Sequence, residues 1–274
     1  MKKKIKNNWS IIINSKSNFL DLSFFINLFK YRDLIFMFVK RDFVTFYKQT
    51  ILGPLWYIIQ PLVNTIVFTI IFGNLAKLPT DGLPPFLFYM TGNVAWSYFS
   101  VCLMATSNTF VSNAGLFGKV YFPRLSVPIS HIIISLLQFI IQFIVLTCFL
   151  LYFIYKGSNI DLSLKIFFIP LILLHSGFLS LGFGMLISSL TAKYRDLTFA
   201  LSFFIQLWMY ATPIVYPFSL VPDKYKLLSA LNPVTSIIET FRLCVLGTSS
   251  IGSQHVMLSL LVTLIIFIFG FIAF

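Results

Sequence analysis

Acidic side chains are scarce in this chain. Only 8 Asp and Glu stand against 20 Lys and Arg, and charged residues of every kind make up 10% of its 274 positions. An ordinary soluble domain carries about 25%. The few acids also avoid the apolar runs. Asp21, Asp33, Asp42, Asp81, Asp161, Asp196 and Asp223 fall between them, and only Glu239 sits in an apolar helical pattern, three residues before Arg242. A local ion pair accounts for that one. Ion-coupled carriers keep ionisable groups inside the membrane, so this distribution argues against that class. Histidine and cysteine are equally thin. His131, His175 and His255 are isolated, and His175, beside Ser176 and Gly177, reads as a packing residue rather than a ligand. Cys102, Cys148 and Cys244 are an odd, widely spaced set without a CxxC. That argues against a disulfide framework or a thiolate metal centre. No GxxxxGK[ST] loop is present, and Gly118-Lys119 lacks the upstream glycine. If ATP is used, another chain binds it.

What the chain has is apolar bulk. Hydrophobic residues reach 58%, with 33 Phe, and the mean hydropathy is +0.91. This describes an all-α integral membrane protein with room for several spans of about 20 residues each. It leaves no room for a separate soluble catalytic domain. The net charge of +12 is concentrated: residues 1–50 hold ten Lys/Arg against three acids. A basic segment leading into spans fits the positive-inside rule and anionic headgroups better than nucleic acid. No cleavable signal peptide is evident. Lys2, Lys3, Lys4 and Lys6 are followed only by Ile11-Ile12-Ile13, too short for an apolar signal core.

Residues 1–54 form the cytoplasmic N-terminal region, and 55–274 the transmembrane domain. Within 19–48, Phe24, Phe25, Leu28, Leu34, Ile35 and Phe38 make an apolar face, and charges interrupt every window long enough to span. That pattern predicts an interfacial amphipathic helix; a core-facing helix of a small cytoplasmic subdomain is the other reading. Gly53 and Pro54 then break any helix passing through, where an uncharged run has begun at Gln49. Trp56 and Tyr57 mark a headgroup boundary just beyond. Six spans follow, over about 55–76, 85–110, 129–155, 166–190, 197–216 and 256–274. An even number puts both termini on one side. That side carries fourteen Lys/Arg against six on the other, which places the termini in the cytoplasm.

Residues 217–250 are too long for a turn and too apolar for a free loop. Pro217, Pro222, Pro233 and Gly247 divide them, and Asn232-Pro233 marks a break with Thr235 as an N-cap. Two short re-entrant helices packed against the outer mouth fit; helices resting on the outer surface are the alternative. Trp96, Tyr98 and Phe99 in span 2, with Trp208 and Tyr210 in span 5, suit either a sugar-stacking conduit wall or ordinary lipid and headgroup contact.

Several motifs occur in one order: Tyr31-Arg32-Asp33-Leu34-Ile35, Arg41-Asp42-Phe43, the run Tyr47 to Trp56, and Gln60-Pro61. Pro79-Thr80-Asp81-Gly82, Lys119 to Arg124, Tyr194-Arg195-Asp196 and Asn232-Pro233 continue the series. Together they resemble the membrane subunits of ABC transporters that export polysaccharides, above all the O-antigen export permeases. Teichoic-acid exporters are close relatives and capsule exporters more distant ones. The motifs specify the family better than the glycan.

The resemblance implies a homodimeric channel with two ATPase subunits below it, ATP and magnesium bound on those subunits and no cofactor on this chain. It implies a glycan carried on a polyprenyl diphosphate lipid. Lys48, helped by Lys40 and Arg41, would attract the diphosphate at an entrance shaped by Leu52, Gly53 and Pro54. Asn113, Lys119, Tyr121, Pro123 and Arg124 would couple to the ATPase. Trp96, Tyr98, Phe99, Trp208 and Tyr210 would line the channel. Pro217, Pro222, Asn232, Pro233, Glu239 and Arg242 would belong to an outer gate. The family's chains end in a short charged tail, whereas this sequence stops at Phe274 inside an apolar run. A membrane scaffold for glycan synthesis, with no conduit of its own, explains the spans and the basic arm equally well.

Overall fold

The apolar runs of the sequence are helices in the computed structural model, which describes residues 29–48, 51–158, 160, 164–194, 196–249 and 251–274. Phe24, Phe25 and Leu28 of the expected amphipathic face lie outside the described residues, as do Asp161 and Arg195. Among those described, no β-strand occurs. Helix α1 spans Arg32–Lys48. A 3-10 turn over Gly53–Leu55 leads into α2, Trp56–Phe68, which widens into a π-helical stretch over Thr69–Leu75. Then come α3 (Pro85–Ser107), the short α4 (Thr109–Ser112) and α5 (Ala114–Phe117), and α6 (Ser126–Tyr155). Helix α7 (Ile169–Thr191) is followed by α8 (Leu197–Ala211), α9 (Asp223–Leu231), α10 (Pro233–Leu246) and α11 (Ser253–Ala273).

Among the described residues, four segments are long and apolar enough to cross a membrane: Gly53–Leu75, Ser126–Tyr155, Lys165–Thr191 and Ser253–Ala273. The chain is therefore a multi-pass membrane protein. The other two expected spans depart from that standard for different reasons. Helix α3 has 23 residues but carries Thr91, Asn93, Ser97 and Ser100. It runs through the middle of the bundle against α2, α6, α7 and α10. A helix that meets protein on all sides needs no lipid-compatible surface. Helix α8 stops at Ala211 after 15 residues, short of the expected 216. Its rise is about 22 Å, below the roughly 30 Å of a bilayer core. Thr212 precedes Pro213 and is extended (φ −103°, ψ 143°), the conformation that a following proline favours.

The core is centred on α3, where Leu87, Phe88, Val94, Phe99, Cys102 and Leu103 are fully buried. Close approach of helices is made by small residues. A Cβ on Gly270 would lie 2.2 Å from the Gly182 carbonyl oxygen, so α7 and α11 meet backbone to backbone. Two residues on, about half a turn, Gly184 faces the other way, where a Cβ would come within 2.5 Å of Thr106 Cβ on α3. Polar side chains bridge the same helices. Ser180 Oγ donates to the Phe99 carbonyl (3.2 Å), Thr191 Oγ1 to that of Ser107 (3.0 Å), and Asn93 Nδ2 to Thr65 Oγ1 (3.2 Å). Small residues and interhelical hydrogen bonds are what hold helices together where lipid is as apolar as leucine.

Candidate functional site

The basic seam forms one end of the bundle. One face of α1, with Phe38 buried and Leu34 partly so, packs together with Tyr31 just before it on Phe122, on Val127 at the start of α6, and on Leu116 and Phe117. Phe38 meets Phe122 at 5.6 Å between ring centroids, and Phe117 stacks on Phe122 at 5.4 Å. The apolar stripe read in the sequence is thus partly spent on protein. Phe29, Phe36 and Met37 remain exposed on other sides of the segment.

Arg41 is the joint of this end. Its Nη2 donates to Asn113 Oδ1 at 3.3 Å, its Nε pairs with Asp42 at 2.6 Å, and its guanidinium lies 5.0 Å from the Phe38 ring. Asn113 is buried and donates in turn to the Thr109 carbonyl (3.1 Å). The resemblance assigns Arg41 to the entrance and Asn113 to the coupling segment; in the fold they touch. Lys40 and Lys48 are exposed on α1, and Lys119, Tyr121 and Arg124 are exposed beyond α5. Pro123 is partly buried, and Arg124 lies over the Phe110 ring at 5.8 Å. Gly53 sits at φ +51°, in the left-handed region, and is buried between exposed Leu52 and half-buried Pro54. An L side chain there costs about 1–2 kcal/mol, so glycine is what the turn into α2 requires.

At the other end, 212–247 wraps the tips of α3 and α11. The expected N-cap at Thr235 is corrected: Asn232 caps α10, its Oδ1 accepting from Val234 N (3.2 Å), with Pro233 at the first helical position. Proline there already lacks an N–H that would go unpaired, and Asn is among the best caps. Asn232 also accepts from Trp208 Nε1 (3.1 Å) and donates to Thr212 Oγ1 (3.0 Å), tying α8 to α10. The ion pair expected between Glu239 and Arg242 is present and both side chains are 2% exposed. Arg242 Nη2 also donates to the Pro213 carbonyl (3.3 Å) and reaches that of Ile214 (3.5 Å), and the guanidinium lies 3.8 Å from the Phe88 ring centroid. Ser249 Oγ donates to the second Glu239 oxygen (2.9 Å). Pro217 and Pro233 are buried and Pro222 is exposed. Ser219 Oγ donates to Asp81 Oδ1 (2.8 Å), which joins this segment to the 77–84 loop.

The aromatics expected on a channel wall divide. Trp96, Tyr98 and Phe99 are 6%, 4% and 0% exposed. They face the packed interior of the chain rather than an open surface. Trp96 and Phe99 enclose Trp208 together with Phe183 and Phe204; Tyr98 packs on Phe139. The reason is the central position of α3. Tyr210 is exposed and Trp208 half-buried.

Sequence reasoning missed the Gly182, Gly184 and Gly270 contacts, although three glycines (177, 182 and 184) within one apolar run were a visible signal. It also missed Asn232 as a hub. His175 does pack as read: its Nε2 lies 2.9 Å from Thr263 Oγ1 and 3.3 Å from Ser259 Oγ, and Ser259 donates to the Pro233 carbonyl (2.9 Å).

Residues 33–246, from the start of α1 to the end of α10, match the profile described as ABC-2 type transporter. The chain belongs to the ABC-2 type transporter family. Two relatives from Klebsiella pneumoniae, each called O-antigen export system permease protein RfbA, are 30% identical over 210 residues, covering 77% of this chain and 79% of theirs. A protein of the same name from Myxococcus xanthus is 26% identical over 217 residues, covering 78% and 81%. The family match starts within α1 and takes in the Arg41–Asn113 joint, the Gly53 turn and the Glu239–Arg242 pair of this ABC-2 chain.

Proposed function

We propose that this chain is the permease subunit of an ATP-driven exporter that moves O-antigen-like polysaccharide, carried on a polyprenyl diphosphate lipid, across the cytoplasmic membrane. The observation that carries it is the likeness to the O-antigen export permeases, which spans about four-fifths of both partners. In this reading two copies form the conduit. Two separate ATPase subunits bind ATP and magnesium and push on the 109–124 segment. The Arg41–Asn113 contact supports a mechanical link from that segment to α1.

Counting α3 and α8 gives six spans with both termini on the basic, cytoplasmic side. Helices α9 and α10 form the re-entrant pair. The burial of α10 on nearly all sides, against α3, α7 and α11, supports insertion rather than rest on a surface. Of the five, Tyr210 is the aromatic left exposed to meet a sugar chain.

Deleting the gene and staining glycan in surface and cytoplasmic fractions tests the reading. Lipid-linked polysaccharide should accumulate inside with none outside. Loss from both fractions would instead favour a synthesis scaffold. Two variants probe the entrance. Lys48→Ala should lower surface glycan several-fold, since one cation near a phosphate is worth about 1 kcal/mol, while the amount of assembled dimer stays the same. Gly53→Pro should stop export altogether, because proline holds φ near −65° and the turn needs +51°. Normal surface glycan in Gly53→Pro would remove the turn from the mechanism.

A further inference from the structure

Between α1 and the first turns of α6 there is a slot of about 310 Å³, lined by Phe29, Arg32, Ile35, Phe36, Ile129 and Ile133. Its wall is wholly apolar, so Arg32 contributes its methylene stem. The Arg32 guanidinium stands outside at the rim. Its side chain is 76% exposed, its nearest acid is Asp33 at 3.7 Å, itself 92% exposed, and it donates no hydrogen bond to any described residue. Phe29 and Phe36 flank the mouth and are 77% and 63% exposed. A dry slot, a cation at its mouth and exposed phenylalanines beside it are costly in water. At a membrane surface they match one kind of molecule, an amphiphile with a hydrocarbon chain and an anionic head.

We propose that this slot binds one anionic phospholipid, with an acyl chain between α1 and α6 and its phosphate on Arg32. The lipid would complete the packing of α1, whose neighbouring face rests on protein. The slot is distinct from the entrance assigned to the lipid diphosphate. Sixteen residues of helix, about 24 Å, separate Arg32 from Lys48. The proposal needs only a membrane chain; it does not depend on what the chain exports.

The test equilibrates the purified chain with equal amounts of phosphatidylglycerol and phosphatidylethanolamine, then weighs the retained lipid by native mass spectrometry. One phospholipid per chain is expected, with phosphatidylglycerol preferred about five-fold, the selectivity one cation near the surface provides. Arg32→Gln, a change at an exposed position that leaves the fold alone, should bring the preference towards parity while lipid is still retained. Ile133→Trp fills the slot and should lose the lipid. Lys156→Ala, at the far end of α6, should behave as the unaltered chain. Equal retention of the two lipids by the unaltered chain would overturn the proposal. So would undiminished phosphatidylglycerol preference in Arg32→Gln, or a retained mass matching a polyprenyl diphosphate. Because retained lipid is the readout, failure here leaves the export reading standing, and failure of export leaves this one standing.

Discussion

Arg242→Ala is expected to remove most folded chain from the membrane and to abolish export. The Glu239 carboxylate is buried with Arg242 and, among the described residues, keeps only the Ser249 hydroxyl when the guanidinium goes. Stranding one member of a buried ion pair costs about 3–5 kcal/mol. That is a large share of the 5–15 kcal/mol that holds a protein folded. The loss reaches further than the pair. The same guanidinium donates to the Pro213 carbonyl in the proline-broken segment after α8 and covers the Phe88 face at the start of α3. Without it, α10 loses its tie to the Pro213 and Ile214 carbonyls and keeps the one its cap Asn232 makes to Thr212. Glu239→Gln should be milder, because an amide oxygen still accepts from Arg242. The double change Glu239→Gln with Arg242→Met should recover chain level relative to Arg242→Ala, since no charge is left unpaired. Chain level is read by size-exclusion of a fluorescent fusion, and export by surface glycan. A normal elution profile for Arg242→Ala would mean that the pair does not hold this end together.

Gly270→Ala should be nearly as damaging, although it adds one carbon. The added Cβ would stand 2.2 Å from the Gly182 carbonyl oxygen, a backbone atom that no side-chain rotation can move aside. Either α7 and α11 separate along their whole contact or the chain misassembles. Overpacking of side chains alone costs about 1–3 kcal/mol; a clash with backbone belongs at or above the top of that range. Gly182→Ala meets Phe267 backbone at 2.8 Å and should behave alike. Gly252→Ala is the control. Its added carbon meets His255 Nδ1 at 3.5 Å, an ordinary contact, and its φ of −85° suits any residue. Heat-induced loss of the monodisperse peak separates the outcomes. Equal melting of Gly270→Ala and Gly252→Ala would show that the two helices stand further apart.

The two ends of the chain differed in how readable they were. Around Gly53 the helix break was legible, because Gly53 and Pro54 are adjacent and act locally; the left-handed φ of Gly53 came from the structure. The Glu239–Arg242 pair was visible for the same reason: i and i+3 are neighbours on any helix. Thr235 failed as a cap because Asn232 and Pro233 made a better one three residues earlier, and the two signals compete within one short stretch. Trp96, Tyr98 and Phe99 could not be placed at all from sequence. An aromatic in a span has the same identity whether it meets lipid, a conduit or other helices. What decided was that α3 runs through the centre of the bundle.

The sequence by itself determined the class of molecule. Apolar length, scarce acid and the charge gradient from one end are properties of the chain's composition and order, and they dictate helices in a membrane whatever the packing. Family membership was also legible, from motifs in a fixed order. The tertiary structure alone decided which surfaces are used up. It brought Arg41 to Asn113 across 72 positions, set Gly182 against Gly270, and left the slot beside Arg32 open. Such pairings depend on which helices become neighbours and on the rotation of each. Both are fixed by the fit of whole faces, which no local stretch encodes.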